Sequence, residues 1–352
     1  MTSLANKLLP EVIKNLMPYA SARRLGGHGQ LFLNANEMEC KLAYDQDPNG
    51  FNRYPDTKAQ QVSKAYQAYC RTEADCLAVR GADEAIDLLV RTFCAPGQDR
   101  IVICPPTYGM YEVCANAHNV GVSKAHLTDQ FALNITGIQA LLPDAKLLFI
   151  CSPNNPTGNL MARQDLITLL SQTVASHIVV VDEAYIEFST TETVMPLLAT
   201  YPNLVVLRTL SKAFGLAGIR CGFVLGQSAI IDALRKVIAP YPLPDPSADI
   251  ALTALQPKHV NQMWAAVDQV KETRDWFVRQ LVGLPSVIKV WPSESNFVLV
   301  KFQTGVDAYK HLEQNGIIVR RLATESEFRD CVRISVGLNK TMRKTKDVLR
   351  TL

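Results

Sequence analysis

No stretch of the 352 residues is apolar for long enough to cross a membrane: unbroken apolar runs are short, such as Leu147–Cys151, whereas a spanning helix needs roughly 18 residues. No block of five or six like charges occurs, and a net charge of +3 is too mild to point to nucleic acid or a membrane surface. The nine cysteines include no C-x-x-C pair, and the six histidines show neither H-x-x-x-H nor mixed Cys/His ligand spacing. A disulfide framework and a structural metal are therefore not expected; buried, reduced thiols in a cytoplasmic protein are. Neither a P-loop nor G-x-G-x-x-G is present, and nothing at the amino terminus has the pattern of a signal or transit peptide.

What is present is an ordinary globular composition, 48% hydrophobic and 20% charged, in a chain longer than the roughly 250 to 300 residues at which single cores stop growing. We expect an N-terminal arm over residues 1–30, a large domain over 31–254 and a smaller C-terminal α/β domain over 255–352. Short apolar strands at Cys76–Val79, Arg100–Cys104, Leu147–Cys151, Ile178–Val181, Leu204–Leu207 and Cys221–Leu225 alternate in several places with helical patterns. Lys58–Cys70 and Gln164–Ala175 are two of these. This order predicts an α/β fold whose large domain has three layers, with a mostly parallel sheet covered by helices on both faces. The alternating Pro240, Pro242, Pro244 and Pro246 are expected to hold an extended segment. A long helix is expected from about Val260 to Leu284, with Trp264 among its apolar side.

Ligands of such sheets sit beyond the carboxyl ends of the strands, and the polar residues collect there. Pro105–Gly109, Ser152–Gly158, Asp182–Tyr185 and Thr209–Lys212 each follow a strand. Lys212 lies among small residues, with Gly215, Gly218 and Gly222 permitting close approach of a ligand. That setting suits an amine that forms a Schiff base with a carbonyl cofactor, with an ordinary surface lysine as the alternative on local grounds. Gly81 stands at a strand-to-helix turn, where free backbone N–H groups make an anion site. An ordinary glycine turn with Asp83 and Glu84 as helix-start acids is the alternative on local grounds.

Asn155 before Pro-Thr-Gly, Asp182 and Tyr185 in D-E-A-Y, Lys212 in S-K-A-F-G and Arg333 in R-I-S-V-G occur in this order. With Arg23–Gly27, Leu33–Glu37, Asn52–Pro55, Arg80–Glu84 and Cys104–Tyr111, they make the chain resemble pyridoxal-phosphate enzymes of the aspartate aminotransferase fold type. More narrowly, it resembles the histidinol-phosphate aminotransferase group of histidine biosynthesis. The resemblance runs over almost the whole length. It implies pyridoxal 5'-phosphate joined covalently to Lys212, with Asp182 facing the ring nitrogen, Asn155 and Tyr185 on the phenolic oxygen and Tyr108 stacked on the ring. The phosphate would be held by the amides of Ala82 and Asp83, by Thr209, Ser211 and Arg220, and by Tyr54 of a neighbouring subunit in a homodimer with shared sites. Tyr19, Asn36, Arg320 and Arg333 are implied on the substrate side, with Arg321 an open alternative to Arg320. The implied reaction is a ping-pong exchange of an amino group between histidinol phosphate and 2-oxoglutarate, giving glutamate. A decarboxylase of threonine phosphate, an aromatic amino-acid aminotransferase and a non-catalytic cofactor sensor are the alternatives. The absence of a spare basic module disfavours the sensor.

Overall fold

The computed structural model describes residues 31–33, 36, 58–191, 193–239, 241–322 and 328–352. Its strands are β1 (Leu31–Phe32), β2 (Asp75–Val79), β3 (Arg100–Ile103), β4 (Gly121–Lys124), β5 (Leu147–Cys151), β6 (Ile178–Asp182), β7 (Leu204–Thr209), β8 (Gly222–Gly226), β9 (Val287–Val290), β10 (Phe297–Phe302), β11 (Ile317–Ile318), β12 (Arg320–Arg321) and β13 (Cys331–Ser335). The α-helices are α1 (Lys58–Cys70), α2 (Ala82–Phe93), α3 (Met110–Ala117), α4 (Ile135–Leu141), α5 (Arg163–Thr173), α6 (Ser228–Val237), α7 (Asp245–Ala254), α8 (Pro257–Val282), α9 (Ala308–Gln314) and α10 (Asn339–Leu349).

Seven strands form the large sheet in the order β2-β8-β7-β6-β5-β3-β4. Neighbours run parallel except at β8, which is antiparallel to both β2 and β7. The central strands are apolar on both faces because both faces are covered. Val179 and Val181 join one buried cluster while Val180 joins the other, and Leu148 and Ile150 are divided from Leu147 and Phe149 in the same way. Full burial of each such side chain is worth about 1.5–3 kcal/mol. Helices α2 and α3 lie on the face of Val180, with Ile86, Leu89 and Tyr111 in its cluster. Helix α1 lies on the other face, with Val62 and Tyr66 in the Val179 cluster.

The second sheet, β12-β13-β10-β9, is antiparallel throughout. Met263, Val267, Val270, Phe277 and Leu281 of α8 are buried, but Trp264 is 41% exposed, contrary to the helical-face expectation. The extended proline segment also ends earlier than expected. Pro244 is the N-cap of α7 and Pro246 lies in its first turn, where a missing N–H removes no helical bond. At the carboxyl end of α9, Asn315 is the C-cap and Gly316 takes φ 75°, as the Asn-Gly pair suggests.

Two contacts tie the early chain and the large sheet to these later elements. Strand β1 pairs in parallel with β11, and Ser335 N–H donates to the Leu33 carbonyl at 2.9 Å. The turn before β10 rests on the loops after β5 and β6: Glu294 N–H donates to the Gly158 carbonyl at 2.7 Å, and its carboxylate accepts from the Thr190 N–H at 2.7 Å. No helix among the described residues is long and apolar enough to cross a membrane.

Candidate active site

The side-chain alternation of the strands decides what converges. On β5, β6 and β7 the face of Phe149, Val180 and Leu207 ends in Cys151, Asp182 and Thr209, because residues two apart share a face. Cys151 and Asp182 are directly opposed across the ladder, as are Thr209 and Gly222. These positions meet the starts of α2 and α3 around a cavity of about 370 Å³. Ala82, Asp83, Tyr108, Asn155, Asp182, Tyr185, Thr209, Ser211, Lys212, Arg220, Arg333 and Asn36 all line it. Tyr19 and Tyr54 lie outside the described residues.

One end of the cavity is a set of anion donors. Gly81 is the N-cap of α2 with φ 82°, and no side chain caps the helix, so its first N–H groups and its dipole are presented to the cavity. The approach of β8 depends on Gly222: a Cβ there would lie 2.5 Å from the Gly81 carbonyl carbon and 2.7 Å from the Ala82 nitrogen. Thr209 and Ser211 are joined hydroxyl to hydroxyl at 2.9 Å, and both are buried. Arg220, in the left-handed region at φ 51°, reaches Asp83 at 3.2 Å. Tyr108 O–H donates to the other Asp83 oxygen at 2.9 Å. The Asp83 carboxylate therefore ties the guanidinium to the aromatic ring, while its backbone stays in the first turn of α2.

The opposite end is buried and anionic. Asp182 is 3% exposed; its Oδ1 accepts from the Ala184 N–H at 3.0 Å and its Oδ2 from Tyr111 O–H at 2.8 Å. Burial pushes its carboxyl up to about 6, against the opposing effects of the Tyr111 and Ala184 donors. Lys212 lines the same cavity, its Nζ 5.7 Å from the centre of the Tyr185 ring. Burial also raises the Tyr185 phenol above its ordinary value, opposed by the Arg333 charge and by a bond from Asn36.

A third wall comes from the second sheet. Arg333 donates to Asn155 Oδ1 and lies 5.2 Å from the Phe297 ring centre. Asn155 and Asn36 each direct an amide at the Tyr185 hydroxyl, at 3.5 and 3.2 Å. Asn36 adopts φ 54° and is held on three sides: Ser335 donates to its Oδ1 at 2.8 Å, the Asn36 N–H donates to the Ser335 hydroxyl at 2.9 Å, and Asn296 donates to its carbonyl at 2.8 Å. Arg320 does not line the cavity but stands directly opposite Arg333 in the β12–β13 ladder, so the two side chains share a sheet face. Arg321 faces the other way, bonded to Asp307 and stacked 4.5 Å from the Tyr309 ring centre.

Several contributors carried no distinguishing signal in the sequence. Tyr111 is within the quoted Cys104–Tyr111 stretch, yet only the fold brings its hydroxyl to Asp182, 71 residues away. Asn154, fully buried, ties the loop after β5 to the loop after β3 through the Pro106 carbonyl at 2.8 Å and Thr107 at 3.1 Å. On the reverse face of the sheet, Arg208 is buried between Glu183 at 2.9 Å, Glu187 at 2.7 Å and the Tyr66 hydroxyl at 3.1 Å. A charge so buried is tolerable only when paired and hydrogen-bonded.

Anion donors, a buried carboxylate and a lysine amine lining one cavity fit a cofactor with a phosphate, a ring nitrogen that carries a proton and a carbonyl. Pyridoxal phosphate has these three features. Among the described residues no group of three or more His, Cys, Asp or Glu side chains could hold a metal ion. The eight described cysteines are all free thiols.

Comparison with known proteins agrees with this arrangement. The profile of "Aminotransferase class I and II" matches residues 29–351. A protein of Mannheimia succiniciproducens named histidinol-phosphate aminotransferase 2 is 46% identical over 339 residues, covering 96% of this chain and 97% of the relative. The histidinol-phosphate aminotransferase of Aeromonas salmonicida is 45% identical over 349 residues, covering 99% and 98%. Among solved structures, a histidinol-phosphate aminotransferase from Sinorhizobium meliloti in complex with pyridoxal-5'-phosphate superposes with a TM-score of 0.85 at 22% identity. That match covers 98% of each chain and places this fold with the fold type I aminotransferases. The chain belongs to the class I and II aminotransferases, a pyridoxal-phosphate-dependent family.

Proposed function

We propose that this enzyme moves an amino group between L-histidinol phosphate and 2-oxoglutarate, giving imidazole-acetol phosphate and L-glutamate, in the cytoplasmic synthesis of histidine. The identity of about 45% to relatives bearing that activity's name, over almost the entire chain, carries the proposal. Arg333, which lines the cavity, supports it, with its cross-strand partner Arg320 on the same sheet face beside it, since guanidiniums suit a phosphate or carboxylate substrate. Histidinol phosphate has no α-carboxylate, and Arg333 would serve both its phosphate arm and the carboxylate of glutamate.

When bound, pyridoxal phosphate supplies a protonated ring that withdraws electrons from the substrate carbon. The chain's residues do the rest. The Ala82 and Asp83 amides, the Thr209 and Ser211 hydroxyls and Arg220 bind the phosphate, with Tyr54 contributed by the second subunit of a homodimer. Asp182 would hold a proton on the ring nitrogen by charge pairing, and Tyr108 would cover the ring face. Asn155 and Tyr185 would donate to the phenolic oxygen. Lys212 would hold the cofactor through its amine and, when that amine is free, would serve as the base and acid that moves a proton at the substrate carbon. Tyr19 and Asn36 complete the substrate side with Arg320 and Arg333. For the domains we retain an N-terminal arm over 1–30, a cofactor domain over 31–254 and a small domain over 255–352; the pairing of β1 with β11 stitches the start of the second to the third.

Single half-reactions followed by cofactor absorbance test this. Histidinol phosphate and glutamate are each expected to convert the bound cofactor to its amine form, and phenylalanine much more slowly. Carbon dioxide released from threonine phosphate in stoichiometric yield without 2-oxoglutarate would sink the proposal, and so would cofactor binding with no conversion by any amine.

A further inference from the structure

We infer that Tyr111 is a positioning residue for the cofactor ring: its phenol orients the Asp182 carboxylate and decides on which atom the proton shared between that carboxylate and the ring nitrogen resides. The inference rests on the proposed placement of Asp182 at the ring nitrogen.

Tyr111 is fully buried, and its ring is fixed by two neighbours. It stacks on Phe149 at 5.0 Å and 19°, and Tyr108 meets it edge to face at 5.8 Å and 85°. The ring so confined brings the hydroxyl to Asp182 Oδ2 at 2.8 Å, with the Cys151 thiol its other polar neighbour. The other oxygen is held by the Ala184 N–H at 3.0 Å. The carboxylate cannot rotate without breaking one of these bonds, and its remaining lone pairs are what it presents to the cavity. Tyr111 also touches the ring of Tyr108, so one residue braces both the aromatic proposed to cover the cofactor and the carboxylate proposed to face its nitrogen.

The phenol acts on charge as well as on position. A donor to a carboxylate stabilises its ionised form, and such bonds are strong when buried. The other ionisable groups that face Asp182 are few. Asp83 comes from α2 and Cys151 from β5; Tyr185 belongs to the turn after β6 and Lys212 to the loop after β7. Asp83 and burial favour the neutral acid, and Lys212 opposes them from across the cavity. Tyr111 is the nearest side-chain donor acting for the anion. Without it Asp182 becomes the stronger base and draws the shared proton off the ring nitrogen. No atoms are gained or lost; the proton changes owner.

Tyr111→Phe keeps the stacked ring and removes only the donor. The probe is pyridoxal phosphate labelled with 15N in the ring, bound to the full-length enzyme at pH 7. In the wild type the 15N resonance is expected at the pyridinium position, and in Tyr111→Phe displaced toward that of a neutral pyridine. The same variant should lower kcat for glutamate roughly 10- to 100-fold, the range for a lost bond to a charged group, with KM little changed. Site-specific 3-fluorotyrosine at position 111, a more acidic donor in an unchanged fold, should move the resonance further toward the pyridinium limit. Asp182→Asn separates the two layers of the argument. If it leaves the resonance at the wild-type position, the placement of Asp182 itself fails. If it moves the resonance but neither change at Tyr111 does, Asp182 stands and the inference about Tyr111 is overturned. Should Tyr111→Phe fold poorly, the direction of the fluorotyrosine shift decides alone.

Discussion

Arg220 and Asp83, at one end of the cavity, pair with 49% and 41% of their side chains exposed, whereas Asp182 at the other end is 3% exposed and held through both oxygens. The two pairs of contacts lie in different media. Water and ions screen the Arg220–Asp83 pair, and the donors beside it are several: a helix terminus, two buried hydroxyls and a guanidinium. At the second the carboxylate is almost wholly buried, and each bond to it counts separately. The exposed end should therefore tolerate change and respond to salt, while the buried end should do neither.

The sharpest way to break this contrast is Asp182→Asn, which we expect to lower kcat/KM for glutamate by about 10² to 10³, the range for a lost buried electrostatic stabiliser. Stopped-flow half-reactions would measure it, and a loss under tenfold would place the buried end on the same footing as the exposed one. Next in size is a pH effect on the cofactor-free protein. Because the Asp182 carboxyl is raised from 3.8 to about 6 by folding, its contribution to stability is fully present below pH 3.8 and lost as pH rises through 6, a change of about 3 kcal/mol. Urea unfolding between pH 4 and 7 should show this decline in the wild type and lack it in Asp182→Asn; parallel curves would contradict the assignment. The smallest effect is expected from Asp83→Asn. The exposed pair should change the affinity for pyridoxal phosphate by less than about fivefold, and the difference should shrink further in high salt. A salt-insensitive change of a hundredfold would show that this end is not screened.

How much of this was legible in the sequence follows the same division between local and distant causes. The strands of the large sheet could be read because a run such as Leu147–Cys151 must be buried on both faces, and Lys58–Cys70 matched its helix at both ends. The gathering of Asn155, Asp182, Tyr185 and Lys212 was visible for a related reason, each lying just past an apolar run. Elements with weaker patterns escaped. Strand β9 leaves the adjacent Ile288 and Lys289 exposed, one on each face, β4 is a bare Gly-Val-Ser-Lys, and α7 begins inside a proline-rich stretch. Tyr111 and the Arg208 cluster escaped because their partners are 71, 25, 21 and 142 residues away, and hydrogen bonding at such separations leaves no periodicity. The strand ladder adds what spacing alone could not give: Arg320 is directly opposite Arg333, and Arg321 is engaged with Asp307.

The hold of Ser335 on Asn36 has a consequence in time. The two residues are 299 positions apart, so during synthesis the amino-terminal side of the cavity must wait, its partner not yet made, until nearly the whole chain has left the ribosome. The strands of the large sheet, complete by Gly226, can pair long before that, and the wall bearing Arg333 closes last. A nascent chain would hold the strand ends of β5, β6 and β7 already gathered, with the wall of Asn36, Ser335 and Arg333 still open.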